Sequence, residues 1–90
     1  MNHNQDQMIV NFKKAQTHIA KVLKMLEARE YCVDIMQQNL AVIGLLRSAH
    51  QMLMEDHLHH CFSNAMTTNN ERRQQDMVEE ILKVTKIANK

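Results

Sequence analysis

Two cysteines and one histidine in this chain have the residue types and the spacing of a metal site. His57 and Cys61 are four residues apart, so on an α-helix they lie one turn apart on the same face. Cys32 lies 25 residues before His57, in a segment that has no proline and a single glycine. If that segment is one helix, Cys32 is separated from His57 by about 37 Å. One chain cannot then gather the three side chains, whereas two antiparallel copies would place Cys32 of one protomer beside His57 and Cys61 of the other.

The three side chains would supply two thiolates and one imidazole, a soft three-ligand set that suits Cu(I). Zn²⁺ would require a fourth ligand, and the nearby His59 and His60 point to other sides of the helix, at about 200° and 300° from His57. Ni²⁺ and Co²⁺ favour more nitrogen or oxygen ligands than this trio offers. Two other interpretations stay open. One is a pair of buried free cysteines with a surface histidine, and the other is a thiol sensor in which Cys32 and Cys61 react with a persulfide or an oxidant.

The composition predicts an all-α protein. The 90 residues include no proline, one glycine and three aromatic residues, and good helix formers such as Leu, Met, Ala, Gln, Glu and Lys dominate. A chain of this size is expected to form one small domain with limited burial, for which oligomers are common. The formal net charge of +1 means that any nucleic-acid-binding surface must be local. Two cysteines, no signal peptide and no apolar run long enough to span a membrane predict a cytoplasmic location.

Hydrophobic periodicity predicts a flexible arm over residues 1–7 and a single three-helix domain over residues 8–90. The helices are expected over residues 8–28, 32–64 and 70–88. The second helix is apolar on more than one side and is too long to be buried within so short a chain, which predicts a dimer. Thr68 and Glu71 match a capping box at the start of the third helix.

One face of the first predicted helix carries four lysines and no acidic residue. These residues are Lys13, Lys14, Lys21 and Lys24. They could contact the phosphates of double-stranded DNA, or simply be solvated. The lack of interleaved aromatic residues argues against single-strand binding by stacking, and no helix-turn-helix, zinc-finger or basic-zipper pattern is present.

Sequence motifs for catalysis are missing. The chain has no glycine-rich phosphate loop, no Ser/His/Asp arrangement and no paired carboxylates in an obvious cleft. Cys61 beside His57 or His60 could be an activated thiol, but a three-helix scaffold offers no evident pocket. An enzyme is therefore not expected.

Three short motifs occur in and just before the second predicted helix, and the first and third contain a cysteine, a histidine and a cysteine in that order. They read Tyr31-Cys32-Val33-Asp34-Ile35-Met36-Gln37-Gln38, then Ala41-Val42, and then Asp56-His57-Leu58 followed by Cys61-Phe62. With these intervals the chain resembles the copper-sensitive operon repressors (the CsoR/RcnR/FrmR family) over residues 11–86. The resemblance implies a three-helix protomer, an antiparallel dimer built on the second helix, and a dimer-of-dimers homotetramer. It also implies that the apo tetramer binds an operator and releases it when metal binds.

Residue by residue, the resemblance places the Cu(I) ligands of the copper branch on Cys32, His57 and Cys61. It further places a supporting hydrogen-bond network on Tyr31 and Glu80, in agreement with the rule that a ligating histidine gives its other N–H to an acceptor.

The first helix departs from the family pattern. Family members usually carry arginines and a glycine where this chain has Asn11-Phe12-Lys13-Lys14 and Thr17-His18, and many have an arginine where it has Ile43. Bidentate recognition by arginine is therefore lost, although Lys13 and Lys14 retain charge.

The function expected from these observations is a Cu(I)-responsive transcriptional repressor that is a homo-oligomer and binds operator DNA. The alternatives are a Cu(I)-binding or buffering protein of the same fold without regulatory DNA binding, and the dithiol sensor described above.

Overall fold

The computed structural model of the chain describes the backbone of residues 3–88 and the side chains of residues 5–88. Its elements are α1 (His3–Glu27), α2 (Cys32–Asp56), a π-helical segment (His57–Phe62, here called the π segment), α3 (Ser63–Met66) and α4 (Glu71–Ala88). The described residues contain no strand, so the prediction of an all-α fold with three long helical stretches is confirmed. No helix among the described residues is long and apolar enough to cross a membrane.

The first helix begins at His3, earlier than the predicted start at residue 8. Met1 and Asn2 lie outside the described residues, and the flexibility of residues 1–7 stays a prediction. The polar residues before Met8 do not stop a helix. Asp6 lies in the first turn, where a negative charge interacts favourably with the helix dipole. Gln7 donates a hydrogen bond from Nε2 to Oδ1 of Asn11, one turn later, at 3.1 Å.

The described chain divides into two compact units, one ending at Met54 and the other beginning at Glu55. The assignment of residues 8–90 to a single domain stays a prediction.

In the first unit, α1 and α2 form an antiparallel hairpin. Two side-chain hydrogen bonds join the helices: Asn11 Nδ2 donates to Ser48 Oγ at 3.2 Å, and His18 Nδ1 lies 3.1 Å from Gln38 Oε1. As the residue number rises along α1 it falls along α2, which fixes the antiparallel direction. Asn11 is only 6% exposed, and its amide has hydrogen-bond partners on both α1 and α2, as a buried polar group requires.

The apolar core of the hairpin is small. Its buried members are Met8, Ala15, Met25, Val42 and Ala49. Many large apolar side chains of the same two helices remain exposed, namely Ile9, Val10, Phe12, Ile19, Leu23, Leu26, Val33, Met36, Leu40, Ile43, Leu46 and Leu53. An exposed apolar surface of this extent is typical of a protein–protein interface.

The hairpin turn ends α1 with a residue in the left-handed region that is not glycine. Arg29 has φ of 56°. The N–H of Arg29 donates to the carbonyl of Leu26 at 3.1 Å, and the N–H of Glu30 donates to the carbonyl of Met25 at 3.0 Å. This pair of bonds is the Schellman motif, in which glycine is the usual residue because it has no Cβ to clash.

We therefore expect Arg29→Gly to stabilise the protein. The free energy of unfolding should rise by roughly 0.5–1 kcal/mol. Glycine relieves the strain of the left-handed conformation, and the greater entropy of glycine in the unfolded chain offsets part of this gain. Arg29→Ala is the matched control, because alanine keeps the Cβ and should bring no gain. Urea unfolding at one fixed protein concentration measures both variants. An equal gain from alanine would show that loss of the arginine side chain, and not the backbone conformation, is responsible.

In the second unit, the π segment and α3 are joined to α4 by a short turn. The amide of Gln74 spans this turn: Nε2 donates to the carbonyls of Thr68 at 2.8 Å and Met66 at 3.3 Å. The N-cap of α4 is Asn70, whose Oδ1 accepts the N–H of Arg73 at 3.1 Å. The predicted capping box on Thr68 is therefore wrong, because the Thr68 hydroxyl donates instead to the carbonyl of Ala65 at 2.7 Å.

Candidate metal centre

The candidate ligands His57 and Cys61 both lie in the π segment. The sequence predicted an uninterrupted α-helix here, and the structure replaces one turn of it with a wider turn in which N–H groups bond to carbonyls five residues earlier. The N–H of Ser63 donates to the carbonyl of Leu58 in this way, and also to that of His60. Single π turns inside α-helices are rare and occur often at functional sites.

The π segment keeps His57 and Cys61 on one side of the helix. Four residues of an α-helix turn the chain by about 400°, which leaves the two side chains about 40° apart. Four residues of a π turn cover roughly 330°, which leaves them about 30° apart in the opposite sense. His57 is half-buried and Cys61 is exposed.

The third candidate ligand, Cys32, is the first residue of α2 and is exposed. At about 100° per residue it lies within roughly 40° of Met36 and Ile43 around the helix. Both of these apolar residues are exposed as well. Cys32 thus belongs to an apolar face of α2 that the protomer leaves uncovered.

Both cysteines are free thiols and both are exposed in the protomer. The interpretation in which they are buried core residues is therefore wrong. Among the described residues of one chain, no group of three or more His, Cys, Asp or Glu side chains is positioned to hold a metal ion.

The two residues predicted to support the ligands lie on different elements. Tyr31 is 68% exposed in the turn before α2, and its carbonyl accepts the N–H of Asp34 at 3.0 Å. Glu80 is exposed on α4, where it lines a shallow surface depression with Asp76, Glu79 and Lys83. Their part in the metal site stays a prediction.

The four lysines proposed to face DNA are all exposed on α1. Lys21 and Lys24 flank a shallow surface depression that is also lined by Thr17 and Ala20.

The sequence matches a known family model over residues 4–87, and the description of that model is metal-sensitive transcriptional repressor. The chain belongs to this family. The resemblance noted from the cysteine and histidine spacing is thereby confirmed, and the family is one of transcriptional repressors.

Three similar members of the family are named copper-sensing transcriptional repressor CsoR. The protein of Mycobacterium ulcerans (strain Agy99) is 35% identical over 74 residues, which cover 82% of this chain and 61% of that protein. The protein of Bacillus subtilis (strain 168) is 34% identical over 61 residues, covering 68% and 60%. The protein of Mycobacterium tuberculosis (strain ATCC 25618 / H37Rv) is 39% identical over 54 residues, covering 60% and 45%. The chain therefore spans less than two thirds of the length of each of these relatives.

Sequence reasoning missed the π segment and the residue that follows it, Ser63. The Ser63 hydroxyl donates to the carbonyl of Leu58 at 2.9 Å. Serine at position 63 is compatible with either helical register, so no signal in the sequence distinguishes a π turn from an α turn at this position.

Proposed function

We propose that this protein is a Cu(I)-responsive transcriptional repressor that works in the cytoplasm as a homo-oligomer. In this proposal Cu(I) binds between two protomers, to Cys32 of one and to His57 and Cys61 of the other, and the loaded protein releases operator DNA. The observation that carries the proposal is the pairing of His57 with Cys61 in one turn, together with an exposed Cys32 on an uncovered apolar face. The names of the similar CsoR proteins support copper as the metal.

The donor set fits Cu(I). Two thiols and one imidazole are soft to borderline ligands, and three of them satisfy a metal ion that accepts low coordination numbers. Zn²⁺ would need a fourth ligand. When bound, Cu(I) would supply a link between protomers, and the protein's part is to bring Cys32 within reach of the other two side chains.

Antiparallel pairing of two α2 helices would both join the ligands and cover the exposed apolar face. If Cys32 is opposite the midpoint of His57 and Cys61 of the partner, the two-fold axis lies close to Leu45 and Leu46. The exposed Ile43 and Leu46 then lie near the centre of the contact, where water is excluded most completely. The same register therefore explains an apolar surface that a protomer alone leaves in water.

The lysine face of α1 is the proposed DNA contact. A net charge of +1 gives one chain little attraction for DNA, but an oligomer displays several copies of this face. Lysine contacts to phosphates are electrostatic and carry no base information by themselves. The operator would therefore be bound through contacts at several phosphates, without the bidentate arginine contacts that the family resemblance implies.

The experiment that tests the function is an anisotropy titration with labelled DNA from upstream of the protein's own coding sequence. The apoprotein should bind this DNA more tightly than unrelated DNA of equal length, and about one Cu(I) per protomer should release it. Specific binding that persists at saturating Cu(I) would contradict the proposal.

Two other functions have specific observations in their favour. Lysines in place of arginines favour a Cu(I)-buffering protein without an operator. Such a protein would bind Cu(I), but the DNA titration would show only non-specific affinity. Two exposed free thiols favour a dithiol sensor, for which persulfide or oxidant, and not Cu(I), would release DNA. His57 argues for the metal, because a dithiol switch does not need an imidazole.

A further inference from the structure

Ser63 makes an unusual hydrogen bond at the end of the π segment. Its Oγ donates to the carbonyl of Leu58 at 2.9 Å, and its backbone N–H donates to the same oxygen. In an α-helix a serine hydroxyl reaches the carbonyl three or four residues earlier. An acceptor five residues earlier belongs to the π register, so this bond is lost if the segment rewinds as an α-helix.

The register of the segment decides how the imidazole of His57 and the thiol of Cys61 are oriented to each other. Rewinding the turn from π to α would rotate Cys61 about the helix axis by roughly 70° relative to His57. A metal ion that must also reach a thiol on another protomer cannot accept both orientations equally well. The residue that holds the register therefore influences the metal site without touching the metal.

We propose that Ser63 is a positioning residue for the metal site. Its hydroxyl holds the π register and so fixes the mutual orientation of His57 and Cys61 for three-coordinate binding of Cu(I). The inference rests on the proposed function, since it assigns a role to Ser63 at that same site.

The chain offers matched controls for a Ser63→Ala variant. Ser63→Thr keeps a hydroxyl on the same carbon. Thr67→Ala removes a similar local bond of equal length, from Thr67 Oγ1 to the carbonyl of Asn64 at 2.9 Å, three residues earlier and outside the π segment.

The first measurement uses the apoprotein. NMR couplings across hydrogen bonds identify the carbonyl that accepts the amide N–H of residue 63. In the wild type, in Ser63→Thr and in Thr67→Ala we expect Leu58 as an acceptor, alongside His60. In Ser63→Ala we expect His59 instead of Leu58, because the α register bonds four residues back. Retention of Leu58 as the acceptor in Ser63→Ala would overturn the claim that the hydroxyl holds the register.

The second measurement is X-ray absorption of the Cu(I)-loaded proteins, with affinity from competition against a chromophoric Cu(I) chelator. The wild type and both controls should show two sulfur ligands and one nitrogen ligand, whereas Ser63→Ala should lose the nitrogen and bind about tenfold more weakly. An unchanged coordination in Ser63→Ala would overturn the positioning role. If the wild type binds no Cu(I), the proposed function fails and the positioning role fails with it, while the amide couplings still decide what holds the π register.

Discussion

Replacing His57 by alanine should leave a protein that binds Cu(I) but no longer releases DNA in response. Cys32 and Cys61 remain, and two thiolates can hold Cu(I) in a linear geometry, so the affinity for Cu(I) should fall only modestly. Release should be largely abolished, because the imidazole is the proposed ligand that keeps one ring N–H free to donate a hydrogen bond to an acceptor elsewhere in the protein. Glu80→Ala, which removes the proposed acceptor, should give a milder form of the same defect.

His59→Ala is the matched control for His57. His59 is exposed in the same π segment but lies on another side of the helix, so its loss should leave Cu(I)-driven release intact. Anisotropy of the protein–DNA complex during a Cu(I) titration compares the three variants with the wild type. Release by the His57 variant equal to that of the wild type at saturating Cu(I) would refute the coupling role of the imidazole.

The double substitution Lys21→Gln/Lys24→Gln, which removes two positive charges from α1, should weaken DNA binding by at least tenfold at moderate salt. Each phosphate that a lysine no longer neutralises keeps its counterions, so the slope of log affinity against log salt should flatten by about one unit for each such phosphate. The weakening should be similar on all DNA sequences, because phosphate contacts do not read bases.

Lys83→Gln tests whether the effect belongs to the α1 face. Lys83 is exposed on α4, a different helix from the one that carries the four lysines, and its substitution changes the net charge of the chain in the same direction. We expect it to leave the salt slope unchanged. An equally flattened slope in Lys83→Gln would place the DNA contact elsewhere or make it a non-specific effect of total charge.

The all-α fold and the positions of its long helices could be predicted from the sequence, because composition and apolar spacing both favour helix throughout. The helix start at His3 could not be predicted, since the polar residues that precede Met8 are compatible with helix and with disorder alike. The end of α1 was located near Arg29, but the left-handed conformation there occurs without the glycine that usually signals it.

The candidate site was predictable to a smaller extent. The spacing of His57 and Cys61 predicted that they share a face, and both registers of the helix allow this. The π segment was not predictable, because π and α turns accept the same residues and differ by a hydrogen-bond register that the Ser63 side chain helps to hold. The exposure of Cys32 and Cys61 was also unexpected for cysteine, which is among the residues most often buried. Cys32 lies on an apolar face of α2 that is exposed in the protomer, together with Met36 and Ile43.

Complementation between two defective proteins tests the intersubunit site most directly. Cys32→Ala protein and His57→Ala/Cys61→Ala protein are unfolded, mixed in equal amounts and refolded together, and tight Cu(I) binding is then measured by chelator competition. Each heterodimer should contain one intact site and one site that lacks all three ligands. Because half of the randomly formed two-fold dimers are heterodimers, the mixture should bind about 0.25 Cu(I) per protomer tightly, whereas neither protein alone should do so. Wild-type affinity in Cys32→Ala alone, or no gain on mixing, would contradict a site shared between protomers.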